Sequence, residues 1–361
     1  MQFGLLSHDD RYTTSPADAW DADLREVILA ERLGFAEAWI TEHFGAPRPG
    51  LQQCPDLFIC KAAALTKRIK LGPGVRSLPL HHPVHVATEA AVCDQLTRGR
   101  YLAGFGAGGE MGNTARRLGL GDVSERHERM YEAIDFILRC WAETEPFDWN
   151  GRFWQCKDVK INPRPYQQPR MPTAMAASRI GPTLPFAAER GLALLIGHYD
   201  PPAFLKQMVD IYIEAGEKVG RRPLRKDIRV ARFVYVSDSV QKARAELRDT
   251  LGEILGRRKQ GLPYQFQAIV PPGGTLDDVT FDYMVDIGAI WLGDPDTVYE
   301  HVKNAYDEIG GFGTLMFYCG MDAGTRRQRA RSLRLFSQYV APRLVDLNPD
   351  RTPQPTVTSG R

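Results

Sequence analysis

The chain alternates short apolar runs with longer amphipathic segments over most of its length. The short runs have the length of β-strands, and the longer segments repeat their apolar positions with the period of an α-helix. Strands are predicted at residues 3–6, 36–41, 69–77, 101–105, 173–177, 193–196, 228–236 and 314–318. Strands that alternate with helices in this way form a parallel sheet, because each helix carries the chain back to the start of the next strand.

Helical segments follow most of these strands. They are predicted at residues 21–33, 84–96, 124–141, 184–190, 202–219, 240–255, 296–309 and 327–344. Asp294 and Pro295 form a clear helix start, since aspartate caps the first amides and proline fits the first turn. Eight strands in a chain of 361 residues predict an α/β fold of the (β/α)8 TIM-barrel type.

The alternation is interrupted in two places. Residues 106–170, between the fourth and fifth strands, contain one helical segment and then a stretch rich in proline, glutamine and aromatic residues. We interpret this segment as an insertion over the barrel mouth. Residues 256–288 have no clear period and include a Pro-Pro-Gly-Gly sequence, which predicts a mobile loop. One barrel domain is therefore assigned to residues 1–345, and a disordered tail to residues 346–361.

Composition limits the classes of partner. Lys and Arg number 46 and Asp and Glu 44, so the net charge of +2 gives no reason to expect nucleic acid or an anionic membrane. The six cysteines are scattered without a CxxC pair, which is typical of reduced thiols in a cytoplasmic protein. Acidic residues come too early for a secretory signal, and no apolar run reaches the roughly 18 residues of a membrane helix.

The first candidate chemistry follows the second and third strands. In a barrel, functional groups lie on the loops after the carboxyl ends of the strands. Glu42 and His43 stand side by side at such a position, where a carboxylate and an imidazole can orient and transfer protons; an ordinary surface pair is the alternative. Gly74 permits a close approach of the backbone to a ligand. Histidines at positions 81, 82 and 85 lack a carboxylate at metal-ligand spacing, so no metal site is expected.

Two further loops follow the fourth and fifth strands. Residues 104–109 are rich in glycine, but no helix follows directly, so a dinucleotide fingerprint is not supported. After the fifth strand, Ser178, Arg179, Gly181 and Thr183 precede a helix that opens at Thr183. Hydroxyl groups, one guanidinium and the amides of a helix N-terminus favour a phosphate group. An ordinary capped loop is the alternative.

In their order and spacing, several segments resemble the luciferase-like flavin monooxygenases. They are residues 34–43 (GFAEAWITEH), 78–83 (LPLHHP), 94–100 (DQLTRGR) leading into 104–106 (GFG), 162–169 (NPRPYQQP) and 293–298 (GDPDTV). Residues 331–342 (RSLRLFSQYVAP) resemble the group that contains the limonene and diketocamphane monooxygenases. The resemblance spans residues 2–344.

The resemblance implies a (β/α)8 barrel that binds FMN, supplied in reduced form by a separate NAD(P)H:flavin reductase. Reduced FMN and O2 would form a flavin hydroperoxide that inserts one oxygen atom into a small apolar organic substrate. The cofactor supplies the chemistry, and the protein excludes water and positions the substrate. The family also implies a homodimer that buries the early helices. Ala87, Ala90 and Ala91 offer a small-residue face, either for that dimer or for packing on the barrel.

The resemblance also implies roles for individual residues. His43 matches the active-site histidine and is expected to assist proton transfer, and Glu42 matches the adjacent acid at the flavin site. Gly74 and Val75 match a pair that forms a non-proline cis peptide beneath the isoalloxazine. The phosphate-binding loop is matched by Ser178, Gly181 and Thr183. Trp291, just before the last helix opening, is expected to face the pocket.

The phosphate contacts depart from the family pattern. Luciferase itself carries an arginine for the phosphate after the fourth strand, whereas this chain has Ala107 there. Arg179 stands where luciferase has an acid, and we expect it to substitute for the missing arginine as a phosphate ligand. This difference also argues against a light-emitting luciferase.

Two other functions stay open. An oxidoreductase that uses a deazaflavin on the same fold would transfer hydride and would need extra basic residues at the pocket rim, for which Arg76, Arg116 and Arg117 are candidates. A non-enzymatic flavin-binding homologue predicts that His43→Ala changes only stability.

Overall fold

Eight parallel strands close a barrel at the centre of the molecule. A computed structural model describes residues 1–11, 15–44, 53–108, 118–119, 123–261 and 263–350. Barrel strands 1 to 8 are Gln2–Asp10, Glu37–Ile40, Lys70–Pro73 with Arg76–Ser77, Ala103–Gly106, Thr173–Ala176, Ala193–Gly197, Ile228–Arg232 and Thr314–Met321. Their order around the ring is 3-2-1-8-7-6-5-4, and the second segment of strand 3 closes the ring by pairing with strand 4. The predicted (β/α)8 barrel is confirmed.

The helices form an outer layer around this ring. In chain order they are α1 (Pro16–Arg32), α2 (Pro55–Leu65), α3 (Pro83–Thr97), α4 (Arg126–Ala142), α5 (Thr183–Glu189), α6 (Pro202–Lys218), α7 (Val240–Gly261), α8 (Phe281–Asp286), α9 (Pro295–Ile309), α10 (Arg326–Leu335) and α11 (Ala341–Leu344). Asp294 caps α9 by accepting a hydrogen bond from the Thr297 amide, as the sequence predicted. Residues 336–340 join α10 to α11 as a π-helix, so the predicted last helix is divided.

The described part of the predicted insertion belongs largely to this layer. Trp141 of α4 stacks on Phe105 of barrel strand 4, and its indole N–H donates to the Ala87 carbonyl at 3.0 Å. A hairpin of strands Phe147–Asn150 and Gln155–Val159 then packs on α4, where Trp149 lies parallel to Phe136 at 4.5 Å. Of the described residues of this segment, residues 106–108, Ser124 and the beginning of α4 line the cavity at the barrel mouth. Residues 109–117 and 120–122 lie outside the described residues, so it stays a prediction that this segment covers the barrel mouth.

The second irregular segment extends the core. The helix predicted to end at residue 255 continues to Gly261, and short helical turns follow it. Phe266 and Met284 are fully buried in an apolar cluster that continues from the barrel interior. A short strand, Trp291–Gly293, pairs with Val234–Val236, which leaves the barrel after strand 7. The apolar residues of this segment are spaced irregularly, so the sequence pattern did not predict these helical turns and this strand. The predicted mobility stays a prediction.

Two expectations about surfaces change. Ala87, Ala90 and Ala91 are buried within the chain, so this face packs on the barrel and is not available to a second copy.

The start predicted for the tail, at residue 346, is also too early in the chain. The Met1 amino group donates to the Leu347 carbonyl at 2.6 Å, and the Asp350 carboxylate accepts a hydrogen bond from the Arg225 amide at 2.8 Å. Residues 351–361 lie outside the described residues.

Candidate active site

One cavity opens at the carboxyl ends of the barrel strands. Its volume is about 790 Å³, within the usual range of small-molecule sites. The structure brings together in its wall nine of the residues that the sequence singled out: Glu42, His43, Gly74, Val75, Ala107, Ser178, Arg179, Gly181 and Thr183. The opposite end of the barrel is filled by a buried ion pair, in which Arg229 donates two hydrogen bonds of 2.7 Å to Glu37.

Glu42 is fixed by the loop that follows barrel strand 3. One carboxylate oxygen accepts the Ser77 amide at 2.6 Å, and the other lies 2.8 Å from Nε2 of His81. Burial alone would raise the pKa of Glu42, but the hydrogen bond and charge of His81, with Arg76 and the Ser77 amide, bring this pKa below its ordinary value. Glu42 therefore remains a carboxylate and joins the loops after strands 2 and 3.

Arg76 lies behind this wall and contacts three carboxylates. It donates to Asp56 at 2.5 Å and to Glu89 at 3.0 Å, and its Nε lies 3.4 Å from Glu42. Tyr101 donates to the other oxygen of Asp56 at 2.6 Å. Arg76 is buried, so the expectation that it supplies a basic group at the pocket rim is wrong. Arg116 and Arg117 lie outside the described residues.

The floor of the cavity is formed by backbone. The Gly74–Val75 peptide is cis, as the resemblance implied. Gly106 lies against this floor, since a Cβ atom there would come within 2.4 Å of a Val75 methyl group. At Gly104 a Cβ atom would meet the Pro73 carbonyl oxygen at 2.0 Å. The glycines after strand 4 therefore serve close packing under a flat surface rather than a dinucleotide turn.

Hydroxyl groups and cations gather where α5 begins. Thr183 is the first residue of α5, and its hydroxyl lies 3.0 Å from that of Tyr131. Ser178, Arg179 and Gly181 line the cavity at the same loop. A Cβ atom at Gly181 would meet no heavy atom within 4 Å, so open space adjoins this backbone.

Several lining residues were not expected from the sequence. Arg126, at the start of α4, adds a guanidinium to the wall that includes Ala107. His198, Arg258 and Tyr318 line another part of the cavity. Only His198 carried a signal, because it directly follows a predicted strand. Trp291 does not line the cavity: it is buried beneath Arg232, whose guanidinium carbon lies 5.2 Å from its ring centre.

Within the described parts of the chain, no three histidine, cysteine or acidic side chains are grouped so that they could hold a metal ion. The helices of these same parts include none that is long and apolar enough to cross a membrane.

Comparison with known proteins identifies the family to which the chain belongs. The model of the luciferase-like monooxygenases matches residues 1–311. The chain belongs to this family. This luciferase-like monooxygenase is 31% identical to limonene 1,2-monooxygenase of Rhodococcus erythropolis over an alignment of 341 residues that covers 91% of this chain and 82% of that protein. Family membership makes it an oxidoreductase of the monooxygenase type.

Solved structures share the fold over nearly the whole chain. The oxygenating constituent of 3,6-diketocamphane monooxygenase from Pseudomonas putida, a type II Baeyer–Villiger monooxygenase solved with FMN, has a TM-score of 0.81 at 24% identity, with 95% of this chain and 98% of that chain covered. A secondary alcohol dehydrogenase that depends on the deazaflavin F420 has a TM-score of 0.70 at 17% identity, with 94% and 98% covered. The fold alone therefore does not separate the two cofactors.

Proposed function

We propose that this luciferase-like monooxygenase binds FMN and inserts one oxygen atom from O2 into a small, largely apolar organic substrate. The observation that carries the proposal is the cavity itself, which combines a flat backbone floor, a Glu42–His43 wall and a cluster of hydroxyls and cations. Reduced FMN, when bound, supplies the electrons that activate O2, so that one oxygen atom enters the substrate and the other leaves as water.

The residues present fit FMN. The isoalloxazine would lie on the Gly74–Val75 peptide, where no side chain projects from Gly74, and Gly106 supports that floor. The phosphate would lie at the α5 loop, where Ser178 and Thr183 offer hydroxyls and Arg179 and Arg126 offer positive charge. These two arginines take the place of the luciferase arginine that Ala107 replaces.

His43 is the residue that we assign to proton transfer. It lies next to Glu42, whose lowered pKa keeps it ionised and whose two oxygens are occupied by Ser77 and His81. Glu42 is therefore a positioning residue, and His43 is the member of this pair that we propose for proton transfer. Removal of such a group lowers rates by about 10²–10⁴-fold.

A separate flavin reductase is proposed as the partner that supplies reduced FMN. The diketocamphane relative is itself named as an oxygenating constituent, which supports a second component that supplies the reduced flavin. The apolar part of the wall, which includes Leu6, Ile196 and Met316, suits a hydrocarbon body.

A homodimer is proposed through α2 and α3. Leu57 and Leu65 of α2 are 74% and 54% exposed, and Leu96 of α3 is 64% exposed. One face of α2 carries Leu57, Lys61 and Leu65, which are spaced four residues apart. One face of α3 carries Glu89, Val92 and Leu96, which are spaced three and four residues apart. The apolar members of these stripes, together with the charged Lys61 and Glu89, are proposed as the contact surface of the homodimer, because clusters of exposed apolar side chains mark protein contacts.

The test is oxygen insertion by the reconstituted system. The protein is incubated with FMN, NADH, a flavin reductase and ¹⁸O2, with a mixture of cyclic alkenes and cyclic ketones, and the products are analysed by mass spectrometry. We expect one ¹⁸O atom in a product that requires both FMN and O2. His43→Ala is expected to lose this product while it keeps FMN binding. An unchanged product yield from His43→Ala would remove His43 from proton transfer, and the absence of any FMN- and O2-dependent product from the wild-type protein would favour the non-enzymatic alternative.

A deazaflavin-dependent hydride transfer is the second candidate, supported by the shared fold of the F420-dependent dehydrogenase. Three basic residues favoured a deazaflavin, and Arg76 is no longer one of them, because its side chain is buried and paired with Asp56 and Glu89. Side-by-side titration with both cofactors separates the two functions.

A further inference from the structure

Two cysteine sulfurs lie in contact between α2 and α3. Sγ of Cys60, on α2, and Sγ of Cys93, on α3, are 3.7 Å apart, although the residues are separated by 33 positions in the sequence. Cys93 is buried, and Cys60 is partly exposed in the single chain. A small reagent from solvent can therefore reach one sulfur while the second sulfur lies beside it.

The cysteines lie one helical turn beyond the contacts of Arg76. Asp56 precedes Cys60 by four residues on α2, and Glu89 precedes Cys93 by four residues on α3. Residues four apart lie on one face of a helix. Arg76 donates hydrogen bonds to both Asp56 and Glu89, so one guanidinium joins these two faces. The two helices are thus held at a spacing that brings the sulfurs together on the next turn.

The two sulfurs differ in acidity. A hydrogen bond from Cys93 lowers the pKa of Cys60. The same hydrogen bond, together with burial, raises the pKa of Cys93. The thiolate is the nucleophilic form of cysteine, and oxidation follows thiolate character and exposure. Cys60 is therefore the sulfur that reacts first with an oxidant, and Cys93 is the thiol placed to react with the product.

The separation of the sulfurs suits a disulfide. A disulfide bond is about 2.05 Å long, so the sulfurs have to approach by roughly 1.7 Å. Rotation about the Cα–Cβ bond of each cysteine moves its sulfur without moving the helix. The pair can therefore close with little change in the packing of α2 on α3.

We infer that Cys60 and Cys93 form a reversible disulfide when the protein meets hydrogen peroxide. The Cys60 sulfur attacks one peroxide oxygen and the O–O bond breaks, so that Cys60 becomes a sulfenic acid and the other oxygen leaves as water with the Cys60 proton. The Cys93 sulfur then attacks the Cys60 sulfur, the S–O bond breaks, and the second oxygen leaves as water with the Cys93 proton. Two thiols are oxidised, and one peroxide is reduced to two waters.

This inference goes beyond the proposed function and does not depend on it, because peroxide from any source is sufficient. An enzyme that reduces O2 releases hydrogen peroxide when the oxygen atom does not reach a substrate, so the proposed function would supply this oxidant. The disulfide would join α2 and α3 beside Arg76, whose Nε lies 3.4 Å from Glu42 of the cavity wall. We expect the bond to stabilise the packing of the two helices behind that wall.

The first test is peptide mapping of the folded protein. Reduced protein is treated with a small excess of hydrogen peroxide at neutral pH, its remaining thiols are alkylated, and its peptides are analysed by mass spectrometry. We expect the peptides that contain Cys60 and Cys93 to be joined, with the loss of two hydrogen atoms, and dithiothreitol should separate them. Cys93→Ala should leave a sulfenic acid at Cys60 that dimedone labels. Cys54→Ala is the matched control: this exposed cysteine directly precedes α2, and its loss should leave the cross-link unchanged.

The second test is urea denaturation of the reduced and oxidised proteins. The cross-link restricts the unfolded chain between residues 60 and 93, so the oxidised protein should unfold at a urea concentration higher by roughly 1 M. Cys60→Ala should show no such rise after the same treatment, and Cys54→Ala should show the full rise.

Three outcomes would overturn the inference. They are alkylation of both cysteines after peroxide treatment, a cross-link that involves Cys54 or joins two chains in place of the Cys60–Cys93 bond, and a disulfide that lowers the urea midpoint. FMN binding is titrated in parallel by flavin fluorescence. If the wild-type protein does not bind FMN, the proposed function fails, and the peptide map still decides whether the disulfide forms.

Discussion

Replacement of Arg76 by methionine should destabilise the protein strongly, because this guanidinium neutralises carboxylates that cannot reach water. The side chain of Arg76 is 8% exposed, and its partners Asp56 and Glu42 are 12% and 1% exposed. Breaking one buried ion pair typically costs about 3–5 kcal/mol. The third partner, Glu89, is 49% exposed, so its pair with Arg76 adds at most about 1 kcal/mol. We therefore expect the free energy of unfolding to fall by about 3–5 kcal/mol at pH 7–8.

The loss should depend on pH. Burial raises the pKa of Asp56 despite the presence of Arg76, and removal of the arginine leaves this carboxyl still easier to protonate. Protonation relieves the buried charge, so the difference in stability between wild type and Arg76→Met should shrink as the pH falls from 8 to 5. Adding Asp56→Asn to Arg76→Met should recover part of the loss, since the amide oxygen can still accept the Tyr101 hydroxyl.

Urea denaturation followed by fluorescence at several pH values measures these differences. Arg152→Met is the matched control. Arg152 also contacts two carboxylates, Glu125 and Glu128, but its side chain is 60% exposed, so we expect a change below about 1 kcal/mol. A variant Arg76→Met as stable as the control, but with weaker cofactor binding, would refute the reasoning and restore Arg76 as a cofactor ligand.

Three further variants test the floor, the surface and the wall of the site. Gly106→Ala should weaken FMN binding, measured by fluorescence titration, because its Cβ would displace Val75 from the floor of the cavity. Gly256→Ala is the control and should leave the titration curve unchanged, because a Cβ atom there meets no heavy atom within 4 Å. Leu96→Glu should convert the proposed dimer to a monomer in light scattering, and a wild-type monomer would remove the proposed interface. Glu42→Gln should lower the free energy of unfolding at neutral pH. The difference from wild type should shrink as the pH falls below about 4, because a carboxylate with a lowered pKa stabilises the fold only while it is ionised. In urea denaturation, a difference at pH 3 as large as that at neutral pH would contradict this role.

The barrel and half of its cavity could be predicted because they depend on local sequence. Each strand is a short apolar run, and a parallel barrel gathers the carboxyl ends of all its strands at one face. Glu42, His43 and Ser178 stand directly after such runs, so their common location follows from the topology. The cis peptide at Gly74–Val75 was reached through the family resemblance and not through any pattern in this chain.

The other half of the cavity depends on tertiary packing. Tyr318 was predicted as the last residue of an apolar strand, and nothing in the sequence places its hydroxyl beside His198. Arg258 comes from a segment whose apolar residues have no period, and its position depends on how α7 packs against α8 and the short strand Trp291–Gly293. Arg76 was misplaced for the same reason, since Asp56 and Glu89 lie on separate helices and their approach is invisible in the sequence.

The most direct test of the proposed function is an anaerobic titration of the protein with reduced FMN and, in parallel, with a reduced deazaflavin cofactor. Both are followed by absorbance and fluorescence. The cavity, with its flat floor and its cluster of hydroxyls and arginines, predicts that reduced FMN binds with a Kd on the order of 1 µM, or about −8 kcal/mol, and more tightly than the deazaflavin. Failure to bind reduced FMN in this range, or tighter binding of the deazaflavin, would contradict the account.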